Sequence, residues 1–185
     1  MRRPRIKAEG AGYYHCMSRI IERRMILGDK ERDRFVDLMY NLAAFAGIHI
    51  LSYALLHNHF HILLHVPERR DIPDEEFIAR LRHIYPRWQV KPIAAQLRDY
   101  RRQGQAAAAE QLKATYTYRM FDVSEFFKAL KQQFSQYYNR REDRSGPLWE
   151  KRFKSVLVEG PDDAPLTMAA YIELNGRLHE QLAEM

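Results

Sequence analysis

Three histidines fall close together in LLHNHFHILLHVP: His57, His59 and His61. The tract after them alternates as a strand does. Phe60, Ile62, Leu64 and Val66 point one way; His59, His61, Leu63 and His65 point the other. His59 and His61 therefore project side by side, about 6–7 Å apart along the strand. Neutral imidazole is the commonest metal ligand, so this pair can hold one divalent ion. Two ligands do not complete a site, and an HxH pair on a strand is also an ordinary surface or core feature. A third ligand and a nucleophile must come from elsewhere. Near the C-terminus Tyr171 and Asn175 stand four residues apart, a spacing that puts a phenol and an amide on one helical face. An ordinary amphipathic helix has the same pattern. If that helix lies across the histidine face, Asn175 can complete the metal site with Tyr171 beside it.

The elements that must position these groups follow in order. The N-terminal MRRPRIK is a basic arm, with Arg2 and Arg3 available to phosphates. YYHCMSRII reads as a first strand. Gly28 and Asp29 open a helix whose Phe35, Leu38, Met39, Leu42 and Phe45 recur at helical spacing, and Gly47 is its natural stop. IHILSYALL is a second strand, His57 and Asn58 the turn, and the histidine strand the third. Residues 68 to 121 read as a helical insertion of two or three helices, interrupted at Pro86, Pro92 and Gly104. DVSEFFKALKQQFSQYYNRRE is the clearest helix: Asp122 and Glu125 have capping-box spacing, and Val123, Phe126, Phe127, Leu130, Phe134 and Tyr137 form its buried stripe. LWEKRFKSVLVEG supplies a fourth strand, and Pro165 suits the first turn of the last helix. The sum is an α+β chain of ferredoxin-like β-α-β-β-α-β order. The third strand is then central, with two helices on one face of an antiparallel sheet and the histidines on the other.

Composition bounds the partners. The chain has 185 residues, 46% hydrophobic and 12% aromatic, which suits a single globular domain spanning 1–185. Net charge is +6 and the pI about 9.5, favouring a polyanion, nucleic acid before an anionic membrane. Cys16 is the one cysteine, so no internal disulfide forms and a reducing compartment fits. No apolar run approaches a membrane span, and the N-terminus lacks the apolar core of a signal peptide. The expected location is cytoplasmic, bacterial-type and nucleoid-associated.

Four fragments in this order resemble the HUH single-tyrosine transposases, most closely the REP-associated tyrosine transposase branch. GYYHCMSRI is similar to the family's first strand. SYALLHNHFHILLHV resembles its Met-Pro-Asn-His-x-His-Leu-Leu stretch, and FSQYYNRREDRSGPLWEKRFKSVLVE the tract leading into the fourth strand. AAYIELN resembles its Tyr-Ile-x-Leu-Asn nucleophile helix. The resemblance implies that His59, His61 and Asn175 are metal ligands and Tyr171 the nucleophile. It departs at three places. His57 stands where the family often has Pro, Asn175 is followed by GRLHEQLAEM in place of Asn-Pro-Val-Arg-Ala-Gly, and the insertion is longer than in smaller members.

The implied activity is nicking and rejoining of single-stranded DNA. Tyrosine attack on a phosphodiester keeps the bond energy in a 5′-phosphotyrosine and releases a 3′-hydroxyl. A divalent ion, Mg²⁺ or Mn²⁺, polarises the phosphate. The implied partner is single-stranded or hairpin DNA, and a homodimer is compatible. Candidate phosphate contacts are Lys128, Lys131, Arg140, Arg141, Arg152 and Lys154, with Tyr137, Tyr138 and Trp149 as base-stacking or core residues. Two rival readings share these residues: a replication-initiator or relaxase-type nickase, and a non-catalytic, domesticated nucleic-acid-binding protein.

Overall fold

The computed structural model describes residues 8–160 and 163–183, with 177–183 as backbone only. Strands β1 (Gly12–Arg19), β2 (His49–Leu56), β3 (His59–Val66) and β4 (Lys154–Leu157) form one sheet in the order β2-β3-β1-β4. Every pairing is antiparallel, and β3 lies inside the sheet, flanked by β2 and β1. The order is the ferredoxin-like one. It follows from the alternation in β3: Phe60, Ile62 and Leu64 are fully buried on the core face.

Helices α1 (Asp29–Ala46) and α5 (Val123–Arg141) cover that face. The Phe60 ring packs 5.1 Å from Phe35, 5.8 Å from Phe127 and 5.5 Å from Trp149. These contacts lock both helices to the strand that carries the histidines. Asp122 caps α5 by accepting from the backbone N–H groups of Ser124 and Glu125 at 2.7 and 3.0 Å. The buried stripe of α5 ends on Tyr138, with Tyr137 only half-buried, a one-residue shift from the expected stripe. Gly47 ends α1 in the left-handed region (φ +68°), where its N–H returns to the carbonyl of Ala43. Arg141 of α5 forms an ion pair with the buried Glu31 of α1.

The insertion holds three helices: α2 (Asp74–Leu81), α3 (Arg87–Arg102) and α4 (Ala106–Thr117). Pro86 precedes α3 and Gly104 (φ +69°) separates it from α4, as expected. Pro92 does not interrupt; it lies inside α3. It sits near the helix start, where its missing N–H removes a single turn bond and packing of Val90 and Leu97 holds the helix together. The insertion is fastened to the C-terminal end of α1. Arg80 donates to the carbonyls of Ala44 and Phe45, and the N–H of Phe121 donates to Ala46 at 2.8 Å.

The last helix, α6 (Ala164–Ala183), lies on the opposite face of the sheet. Ile172 is fully buried against Ala54 of β2 and Leu63 of β3, with Met168 and Ala169 beside it. Leu63, the apolar member of the histidine face, is therefore the helix's docking point.

Candidate active site on the histidine face of the sheet

On β3 the rings of His59 and His61 lie 5.3 Å apart, edge to face. Each has its Nδ1 occupied by a neighbour. His59 Nδ1 is 2.6 Å from Asn58 Oδ1. That oxygen only accepts, and the Asn58 amide nitrogen donates to the Arg23 carbonyl at 3.1 Å, so Nδ1 of His59 carries the proton. Its Nε2 then bears the lone pair. His61 Nδ1 is 2.9 Å from Nε2 of His15. Burial pushes the His15 imidazole below the ordinary pKa, which favours a neutral ring able to share one proton with Nδ1 of His61. An imidazole whose second nitrogen is held this way is oriented as metal-binding histidines usually are.

Sequence reasoning missed His15. Its strand phase, with Tyr13 and Met17, was the available signal, since that phase alone puts it on the histidine face. Recognising its partner needs the register, which pairs His15 with Leu63 and sets it diagonal to His61. Tyr171 of α6 meets the same residue: its ring stands edge-on to His15 with centroids 6.4 Å apart. The four aromatic groups thus form a row, His59, His61, His15 and Tyr171, across β3, β1 and α6. Tyr171 is half exposed. Asn175, one turn on, donates its amide N–H to the Tyr171 carbonyl at 3.0 Å, which leaves Oδ1 as the atom it can offer a cation. His57 stands apart. It faces Arg32 of α1, and its carbonyl accepts from Ile26 and Leu27.

A cavity of about 220 Å³ opens beside the histidine pair, lined by Met17, Ser18, Arg19, His59 and His61 and, from the tract before and into β4, Glu150, Lys151, Arg152 and Lys154. Arg19, Lys151, Arg152 and Lys154 make it basic against the single carboxylate of Glu150. The tract reaches β1 because Trp149 bridges Ile20 and the Glu150 N–H donates to the Arg19 carbonyl at 3.0 Å. Of the expected phosphate contacts, Arg152 and Lys154 line this cavity. Lys131 lies behind it, donating to the Lys151 carbonyl at 2.7 Å over the Trp149 ring. Lys128 meets Glu125, and Arg141 meets Glu31 and Tyr137, so both carry structural partners. Arg140 is exposed; Arg2 and Arg3 lie outside the described residues. Tyr138 and Trp149 are core residues. Tyr171 and Asn175 are not among the residues that line the cavity.

Among the described residues no group of three or more His, Cys, Asp or Glu gathers as a metal cluster. A divalent ion on the histidine pair would need oxygen from other sources. The donor set fits one: two oriented imidazoles, with an amide oxygen on the helix that crosses the same face.

The comparisons place this sheet, with its HxH pair on an inner strand and a tyrosine helix on the same face, in a known family. The family model described as "Transposase IS200 like" matches residues 10–104. The chain belongs to this family. In fold it is similar to a solved structure, "Structure of the REP associates tyrosine transposase bound to a REP hairpin". That match has a TM-score of 0.59 and 14% identity, covering 97% of this chain and 74% of that one. A Deinococcus radiodurans R1 protein crystallised as a candidate transposase matches more loosely. Its TM-score is 0.45 and its identity 15%, over 95% of this chain and 98% of that one. No curated protein matches the chain. No helix among the described residues is long and apolar enough to cross a membrane.

Proposed function

We propose that this transposase nicks and rejoins single-stranded, hairpin-bearing DNA through a 5′-phosphotyrosine on Tyr171, with His59, His61 and Asn175 holding a divalent ion. The observation that carries the reading is the row of His59, His61, His15 and Tyr171, set beside a basic cavity. When bound, Mg²⁺ or Mn²⁺ would supply charge to a phosphate oxygen in that cavity. Arg19, Arg152 and Lys154 bind the flanking phosphates, as point charges lining the cavity wall. Asn58 fixes the tautomer of His59, and His15 holds the ring of His61 in place. Tyr171 attacks phosphorus, its phenolic proton leaves to solvent through the exposed edge of the ring, and the departing 3′-oxygen takes up a proton. Bond number is conserved, so a 3′-hydroxyl can reverse the step and join strands.

A second reading has one observation in its favour: Tyr171 does not line the histidine cavity. A non-catalytic DNA-binding protein would have the same basic surface and form no adduct. Labelled hairpin DNA incubated with protein and Mn²⁺ separates the two. Cleavage that disappears in His59→Ala and His61→Ala, with DNA affinity within about threefold of wild type, supports the enzyme, since phosphate contacts carry the affinity. Binding without cleavage in the wild type supports the second reading.

A further inference from the structure

Most cations of the insertion have partners: Arg69 meets backbone carbonyls and Arg119 the Tyr85 hydroxyl. Arg70 and Arg80 meet Glu76, Arg101 meets Asp74 and Glu110, and Lys113 meets Asp74. Arg82, Arg87, Lys91 and Arg98 pair with no carboxylate among the described residues. These four line one groove of about 630 Å³ whose other walls are Ile78, Tyr85, Val90 and Ala94, with no acid in it. The groove runs on through Ile78, Arg82, Ala94 and Arg98 into a larger one of about 940 Å³. Asp74, Glu75 and Asp99 border that second groove; Asp74 and Asp99 are engaged by Arg101 and Arg102, which leaves Glu75 as the acid at that end. Arg87, Lys91 and Arg98 share one face of α3 and span roughly 16 Å at its rise per residue. Trp88, beside Arg87 in the first turn, is 72% exposed.

Four like charges kept unneutralised in one groove repel one another, and a polyanion is the partner that removes this cost. A row about 16 Å long suits repeating phosphates better than a single phosphate group, which would need convergent donors. We propose that the α2–α3 groove is a second DNA-contact surface, holding the sugar–phosphate backbone of a duplex stem while the histidine face holds the strand to be cut. The identity of the partner rests on the DNA-cleaving reading above; the groove itself does not.

The two surfaces sit toward opposite ends of α1. α1 starts beside His57, where Leu27 donates to the His57 carbonyl at 2.9 Å, and ends where Arg80 grips it. Its 18 residues span roughly 27 Å. A duplex needs about eight base pairs to cover that distance. A stem longer than this is the one expected to reach both surfaces.

The test compares hairpins with the same loop and stems of about 6 and about 16 base pairs, by fluorescence anisotropy at about 0.1 M salt. The triple variant Arg87→Gln, Lys91→Gln, Arg98→Gln is the probe; all three side chains are exposed, and an unchanged circular dichroism spectrum and melting midpoint verify its fold. It should bind the long stem about tenfold or more weakly, with a salt slope smaller by about 2 to 3, and the short stem within about twofold of wild type. The double variant Arg87→Lys, Arg98→Lys keeps the charge and should retain long-stem affinity. Equal affinity of wild type and triple variant for the long stem overturns the proposal. So does equal loss on both stems, competition by polyglutamate as strong as by duplex DNA, or tighter binding of duplex RNA. Groove-dependent binding by a protein that forms no Tyr171 adduct leaves this inference standing and removes the cleavage reading. An adduct on the long stem that forms equally well in the triple variant, with unchanged long-stem affinity, does the reverse.

Discussion

His15 joins the two halves of the site. It is buried, it holds Nδ1 of His61 at 2.9 Å, and its ring meets Tyr171 of α6. Without it, His61 keeps its place on the strand and loses the partner that holds its ring in place. Supporting partners of this kind typically matter 10–100-fold. His15→Ala should lower the Mn²⁺-dependent cleavage rate by about that factor and raise the Mn²⁺ concentration needed, with DNA affinity unchanged. His15→Gln keeps a hydrogen-bonding group and should restore part of the rate. A merely space-filling role predicts no difference between Gln and another side chain of that volume, such as Met, and a full rate in either would remove His15 from the account. His57→Ala, by contrast, should leave cleavage within about twofold, because His57 faces Arg32 and not the pair.

At the scale of elements, the turn at the end of α1 governs how the insertion is held. A Cβ on Gly47 would run into the Arg80 guanidinium and the Phe121 ring, and φ of +68° adds its own strain. Gly47→Ala should therefore cost about 2 kcal/mol or more in chemical denaturation; a loss below about 0.5 kcal/mol would show that Arg80 simply moves aside. Within the insertion, Arg101 and then Lys113 hydrogen-bond Asp74 and hold its carboxyl at about 2, below the ordinary 3.8. A depressed folded-state pKa stabilises above the unfolded value and is lost as pH falls through the folded one. Amide exchange in α2–α4 should quicken between about pH 4 and pH 2, and Asp74→Asn should flatten that window; identical profiles would contradict the pairing. Most of this architecture was legible beforehand. Period-2 patterning in Phe60–Val66 and the Phe-rich stripe of α5 gave the strand and the helix, because a single periodic face is buried in each. Pro92 misled, since tertiary packing overrides one missing backbone bond. For His15 the face was readable from its strand phase and the partner was not: that partner lies in a diagonal contact across β1 and β3, which no local pattern encodes.

At the scale of the whole molecule, the sheet separates two tasks. Its core face supports α1 and α5, and through α1 carries the insertion with its unneutralised arginines. Its other face carries the histidine row, the basic cavity and α6. Among the described residues, cations gather at the histidine cavity and along the α2–α3 groove, while Arg70, Arg80, Arg101 and Arg141 are spent on internal ion pairs. Such a layout lets DNA affinity and strand cleavage be lost separately, which is how the proposed enzyme and the non-catalytic alternative are told apart.

The most direct measurement is to trap the covalent adduct. Protein is incubated with Mn²⁺ and labelled single-stranded hairpin DNA, denatured, digested and mapped by mass spectrometry. A DNA-linked peptide carrying Tyr171 is the predicted result. Tyr171→Phe, which removes one oxygen from a half-exposed ring, should bind DNA as wild type does and give no adduct. A linked peptide containing Tyr137 or Tyr138, or an adduct that persists in Tyr171→Phe, would contradict the account.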